Sequence, residues 1–134
     1  MADIIKISED ELEFITGKTD IRKAYPDLFT GHVKIIVFTK GKNGSEIHTR
    51  SKVYHQPAFP VKPVDTTGCG DAFIGAFLYE IMRLNLGIEN LETAEYGKIL
   101  IFASAVGAIV SKSQGAIDSL PDMKMVREFL ENAK

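Results

Sequence analysis

The sequence predicts an α/β fold built as one unit over residues 1–134. Runs at Ile4–Ile7 and Lys34–Thr39 have strand length, and the apolar stretches within them do not alternate, as in strands covered on both faces. Apolar runs of helix length, from Asp71 to about Leu86 and from about Leu91 to Lys112, supply material for that cover. The pair Asn43-Gly44 is a hairpin-turn signal, and runs at Ser45–Thr49 and Val53–Gln56 follow it, which adds a small antiparallel meander.

Taken in order, the first strand leads into Ser8-Glu9-Asp10-Glu11, a capping box with Ser8 as N-cap and Glu11 three residues on. Leu12, Phe14 and Ile15 follow, and Gly17 ends a short helix. A chain opening on an interior strand implies further covering residues upstream. Gly17-Lys18-Thr19 is not a Walker A loop, because that motif needs a glycine where Leu12 stands. Ile21 to Phe29, with Pro26, predicts a second short helix and loop. Pro57, Pro60 and Pro63 keep the approach to the first long helix extended. That helix is expected to be nearly buried: Phe73, Phe77 and Met82 share one side, Ile74, Leu78 and Ile81 lie beside them, and Ala72, Gly75 and Ala76 permit close packing. Ala103 and Gly107, four apart, form a second close-packing line, after which Ser113-Gln114-Gly115-Ala116 predicts a loop. Pro121 starts the last helix, with Met125, Val126, Phe129 and Leu130 as its apolar stripe.

Composition narrows the function. With 134 residues, 45% of them apolar, the chain can bury a core. Its net charge of −2, without a Lys/Arg block, disfavours nucleic acid and anionic membrane surfaces as partners. The longest apolar run, Ile99–Val110, is too short to span a bilayer. One cysteine and no signal-peptide pattern point to the cytoplasm. His32, His48 and His55 lack metal-ligand spacing and are expected at the surface.

The stretch from Asp65 to Asp71, running into Ala72-Phe73-Ile74-Gly75-Ala76-Phe77, reads as a phosphate site. Gly68, Cys69 and Gly70 stand just before a helix, where backbone N–H groups can converge on an anion without side chains in the way. Asp71 falls in the first turn, facing the positive end of the helix dipole, and suits a group that accepts a proton from an attacking hydroxyl. A bare helix start with small residues would look the same from spacing alone. Cys69 is read as a small filler rather than a nucleophile, since no His-containing triad is visible.

The segment DTTGCGDAFIGAF resembles the pattern D-T-x-G-A-G-D of the PfkB sugar kinases, the ribokinase and fructokinase group. DIIKISEDELEFITG, TKGKNGS, VKPVDTTGCGDAF and FASAVGAIVSKSQGAIDSLP are similar to further family segments in order and spacing, and together they correspond to the family's C-terminal half. The resemblance implies a ribokinase-like fold, here the C-terminal half of a mainly parallel sheet with flanking helices. It implies ATP-dependent phosphorylation of a sugar hydroxyl by the intact enzyme, with a ketohexose such as fructose as the expected substrate, Asp71 as base and Gly68, Cys69 and Gly70 as anion hole. It further implies Mg²⁺, with Glu11 organising the metal's water shell, and a monovalent cation such as K⁺ at Asp65 and Thr67. Lys40, Gly41 and Gly44, with Ala103 and Gly107, would border the nucleotide. Ser8 stands where the family usually has Asn, and Cys69 where it has Ala. The sugar-contacting N-terminal half is absent, so the fragment alone is expected to be inactive. The alternative is a non-catalytic nucleotide-binding half-fold, completed by a partner chain or by another copy in a homo-oligomer.

Overall fold

The computed structural model describes residues 3–64, 68–84, 93–112 and 121–133. Strand β1 (Ile4–Ser8) hands the chain directly to helix α1 (Glu9–Thr16) through the expected capping box. Ser8 Oγ accepts the Glu11 N–H at 3.3 Å and Glu11 Oε2 accepts the Ser8 N–H at 2.8 Å, so two donors at the helix start are satisfied reciprocally. Gly17 closes α1, its N–H donating to Glu13 O at 2.8 Å. Helix α2 (Tyr25–Leu28) is a single turn begun by Pro26.

Strands β2 (Ile35–Thr39), β3 (Ser45–His48) and β4 (Val53–Gln56) complete a four-stranded sheet in the order β1-β2-β3-β4. β1 and β2 are parallel, with Ile4 opposite Ile35, and the other two pairs are antiparallel, so the meander forms as expected within a mixed sheet. Helices α3 (Cys69–Leu84), α4 (Thr93–Ser111) and α5 (Met123–Asn132) follow.

β2 explains the layering. Ile35 and Val37 point to one face, where they join Ile47, Phe73, Phe77, Ile99, Leu100 and Val126. Ile36 and Phe38 point to the other, where Ile7, Leu12, Ile21, Ala24 and Leu28 pack. Alternate residues of one strand therefore serve two cores, which is why its sequence is continuously apolar. Each fully buried side chain of this size contributes about 1.5–3 kcal/mol. Among the described residues no helix is long and apolar enough to cross a membrane.

The turn after β2 differs from the two-residue hairpin that Asn43-Gly44 suggests. A 3₁₀ turn spans Gly41–Asn43, and the Lys40 N–H donates to Gly44 O at 2.8 Å. Gly44 has φ 95°, and a Cβ there would lie 2.3 Å from the backbone oxygen of Gln56. The glycine is required because the chain leaving β4 crosses directly over it. Gly44→Ala is expected to destabilise by about 2 kcal/mol or more, read as a fall in thermal midpoint. An unchanged midpoint would contradict this packing.

Helix α3 is less buried than its composition implies. Phe73, Ala76, Phe77 and Glu80 face the core, but Leu78, Tyr79 and Met82 are exposed, Met82 at 77%. Helix α4 covers only one side of α3, and Gly75 faces open space, with nothing within 4 Å of where a Cβ would stand. The close approach is made by Gly107 instead, where a Cβ would stand 3.7 Å from Cys69 O and 3.9 Å from Phe73 Cβ. Phe14 and Ile15 on α1 are likewise exposed, at 91% and 67%, and on α5 Met125 is exposed while Val126 is buried.

His48 also departs from expectation, being buried at 1% exposure. Its Nε2 donates to Glu46 Oε2 at 2.6 Å, and the Tyr25 hydroxyl donates to its Nδ1. Glu46 Oε1 in turn accepts from Lys40 Nζ at 2.5 Å. Burial, outweighing the hydrogen bond to Glu46, holds the His48 pKa below its ordinary 6.5. Burial pushes Glu46 up, yet hydrogen bonds from Lys40 and His48 prevail and hold it below 4.5. The unfolded chain therefore protonates first at both positions. His48's contribution is present above about pH 6.5 and is lost as pH falls through its lower folded pKa; Glu46's is lost in the same way below about pH 4.5. The thermal midpoint should fall between about pH 7 and pH 5, and His48→Gln should flatten that slope. An equally steep slope in His48→Gln would refute the assignment.

Candidate active site

The start of α3 is organised by Gly68, whose φ of 77° turns the chain and whose carbonyl accepts the Ala72 N–H at 2.9 Å. Gly70 and Asp71 stand in the first turn, where amide N–H groups point out of the helix end. The dipole adds partial positive charge there.

Two cavities meet at this helix end. One of about 560 Å³ is lined by Cys69, Gly70 and Phe73 of α3, by Gly41 and Lys42 of the 3₁₀ turn and Gly44 just after it, and by Ser104, Gly107 and Ala108 of α4. Ala58, Phe59, Pro60 and Val61 close its outer wall. Its size and largely apolar lining suit a small organic ligand. The other, about 700 Å³, is lined by Gly68, Asp71, Ala72 and Gly75 together with Tyr79, Phe102 and Asp122. Asp71 thus stands on the opposite side of the glycine turn from the first cavity. The extended 57–64 segment is tied to α4 by the Val64 N–H, which donates to Ser111 O at 2.7 Å.

The sequence-derived candidates separate into groups. Gly68, Cys69, Gly70, Asp71, Gly41, Gly44 and Gly107 border one cavity or the other. The side chain of Lys40 binds Glu46, which lies with His48 on the other face of the sheet, so the neighbouring turn borders the cavity rather than the Lys40 ammonium. Ala103 is fully buried in the core between sheet and α3. Asp65 and Thr67 lie outside the described residues, as do Leu86, Leu91 and the loop proposed at Ser113–Ala116.

Glu11 reaches the same region through Lys6. The Lys6 ammonium lies 3.9 Å from Glu11 Oε2 and 3.2 Å from the position a Cβ would take on Gly70. The Ser8 backbone N–H, with the Lys6 charge adding to it, holds the Glu11 carboxyl below its ordinary pKa. Among the described residues no group of three or more His, Cys, Asp or Glu could form a metal cage. A single exposed carboxylate fits Mg²⁺, which keeps much of its water and is held largely by substrate phosphates. Sequence reading missed Lys6, and the available signal was a charged residue inside the otherwise apolar β1. It also missed Thr39, Ser45, Ser104 and Ser111, which line the first cavity.

The model of the pfkB family carbohydrate kinases matches residues 1–123. The chain belongs to this family. It is 38% identical to probable fructokinase-7 of Arabidopsis thaliana, over all of this chain and 39% of that protein. Fructokinase with bound ATP from Xylella fastidiosa superposes with a TM-score of 0.88 at 26% identity, over 98% of this chain and 43% of the other. A double mutant of Vibrio cholerae O395 fructokinase, in fructose-, ADP- and potassium-bound form, superposes at 0.83 with 32% identity, over 96% and 41% of the two chains. The pfkB chain described here therefore has the ribokinase-like fold and spans about two fifths of the length of the relatives it matches.

Proposed function

We propose that this chain carries the phosphate-handling part of an ATP-dependent sugar kinase of fructokinase type. The observation that carries the reading is the junction at the start of α3, where a glycine turn divides an apolar cavity from the Asp71 carboxylate. The nucleotide would occupy the first cavity, with the base against Phe59, Val61 and Gly107 and the phosphates toward Cys69 and Gly70. The Asp71 carboxylate takes the proton of a sugar hydroxyl as its oxygen attacks the γ-phosphorus. The new P–O bond forms as the bond to the β-phosphate oxygen breaks and ADP leaves. Each backbone donor aimed at the transferring group is worth roughly 3 kcal/mol. Mg²⁺, when bound through the phosphates and a water contact to Glu11, would neutralise charge on the β- and γ-oxygens. A monovalent cation is assigned to Asp65 and Thr67 by resemblance, and the potassium in the V. cholerae relative supports that reading. A cytoplasmic location accords with this chemistry.

A second reading is favoured by specific surfaces. The outer edge of β1 is unpaired among the described residues, and Phe14 and Met82 are exposed. A half-fold that binds nucleotide without turnover would associate through these features, with a partner chain or a second copy. ADP release with a panel of sugars, measured on this chain and on one extended upstream, separates the readings. Sugar-dependent release from the extended form supports the kinase. Nucleotide binding without release from either form, with a mass that grows with concentration in light scattering, supports the half-fold.

A further inference from the structure

Among the described residues, a buried polar cluster takes no part in the proposed phosphoryl transfer, and Lys40 joins it to the first cavity. Strand parity on β3 separates the two environments. Ser45 and Ile47 face α4, so Glu46 and His48 face α2 on the other side of the sheet. There a chain of contacts runs from Lys40 through Glu46 and His48 to Tyr25. Lys40 Nζ donates to Glu46 Oε1 at 2.5 Å and His48 Nε2 donates to Glu46 Oε2 at 2.6 Å, so one carboxylate holds both. Lys40 is also the root of the 3₁₀ turn. Its N–H donates to Gly44 O at 2.8 Å and its carbonyl accepts the Asn43 N–H at 2.9 Å, while Gly41, Lys42 and Gly44 line the cavity. What holds the Lys40 side chain therefore also fixes the base of the cavity rim.

The charge balance of the cluster turns on His48. With the imidazole neutral, the Lys40 ammonium and the Glu46 carboxylate offset each other. A proton on Nδ1 puts a second cation on that carboxylate and removes the acceptor of the Tyr25 hydroxyl. It also adds positive charge to a buried ring that Lys40 and Arg22 already make more positive in its surroundings. From β4, His55 Nδ1 stands 3.7 Å from Glu46 Oε1 on a half-exposed ring, and Asp20 adds negative charge near Tyr25. The imidazolium thus competes with Lys40 for Glu46.

We propose that protonation of His48 weakens nucleotide binding in the first cavity, by drawing Glu46 from Lys40 and loosening the turn between Lys40 and Gly44. The inference rests on the nucleotide reading of that cavity and adds a proton-linked control to it. Linkage makes the effect reciprocal: a nucleotide that fixes the turn keeps Lys40 on Glu46 and makes His48 harder to protonate. Because burial holds the folded His48 below its ordinary 6.5, affinity is full above that pH and falls as pH drops through the lower folded value.

The test is an NMR pH titration of the His48 ring in the 134-residue chain, free and saturated with Mg·ADP. A coupling of about fivefold should lower the His48 midpoint by about 0.7 of a pH unit. In Lys40→Met the midpoint should no longer respond to Mg·ADP. Calorimetry gives a second readout: between about pH 7 and pH 5.5 the Mg·ADP affinity of wild type should fall by about threefold more than that of His48→Gln. Ionisation of the diphosphate itself is common to both proteins and cancels in that ratio. The wild-type titration decides the matter even if a variant fails to fold. Saturable Mg·ADP binding with the His48 midpoint unmoved, or an equal movement in Lys40→Met, overturns the coupling alone. A wild-type chain that binds no Mg·ADP at about pH 7 overturns the nucleotide reading, and this proposal with it.

Discussion

On the proposed function, Asp71→Asn in a form extended upstream is expected to lower sugar-dependent turnover by about 10²- to 10⁴-fold while leaving ATP affinity near wild type. The two halves of this expectation have separate causes. Asparagine keeps the size of the side chain but cannot take a proton, so the hydroxyl must attack without a base. The cavity assigned to the nucleotide is lined by Cys69, Gly70 and the Gly41–Gly44 turn, and Asp71 lies on the other side. Ground-state binding is therefore largely kept, and the loss appears in kcat. Turnover like wild type in a steady-state assay would remove Asp71 as the base.

Gly70→Ala is expected to move stability and activity in opposite directions. Alanine in the first turn of α3 raises helix propensity by up to about 1 kcal/mol, so the thermal midpoint should hold or rise. The added methyl would meet the Lys6 ammonium at 3.2 Å, which forces that flexible side chain to give way. On the proposed function it would also project into the place where the transferring group approaches the backbone donors. Turnover should fall by about 10²-fold, the scale on which loss of an oxyanion donor acts. A variant that is stable and fully active would show that the approach at Gly70 is not used.

Much of the fold was legible because its signals are local. The Ser8–Glu11 capping box forms as read, because both partners lie within one turn. β2 is covered on both faces, as its unbroken Ile35-Ile36-Val37-Phe38 run requires. The misreadings come from contacts between residues distant in sequence. The Asn43-Gly44 turn is decided by Gln56 passing over Gly44, and no local pattern encodes that crossing. His48 is interior because Tyr25, on another element, supplies the hydrogen bond that makes burial tolerable. Met82 and Phe14 are apolar yet exposed, since hydrophobicity states what a residue prefers and not what covers it.

The candidate site divides along the same line. The glycine turn and Asp71, which the proposed function uses as the phosphate site, were named from the sequence because helix-end donors that converge on an anion would need small residues in consecutive positions. Lys6 was not, because it reaches Gly70 only once β1 and α3 are packed across the sheet face. Lys40 was assigned by its neighbours in sequence, but strand parity turns its ammonium to Glu46 and away from the cavity.

The measurement that bears most directly on the α3 start as a phosphate site is the change in backbone amide chemical shifts when ATP, and separately ADP, is added to the isotope-labelled chain. Convergence on the terminal phosphoryl group predicts that the Gly70 and Asp71 amides shift strongly with ATP and less with ADP, while amides of the 3₁₀ turn at Gly41–Asn43 respond to both. Saturable ATP binding that leaves the Gly70 and Asp71 amides unmoved would contradict the assignment.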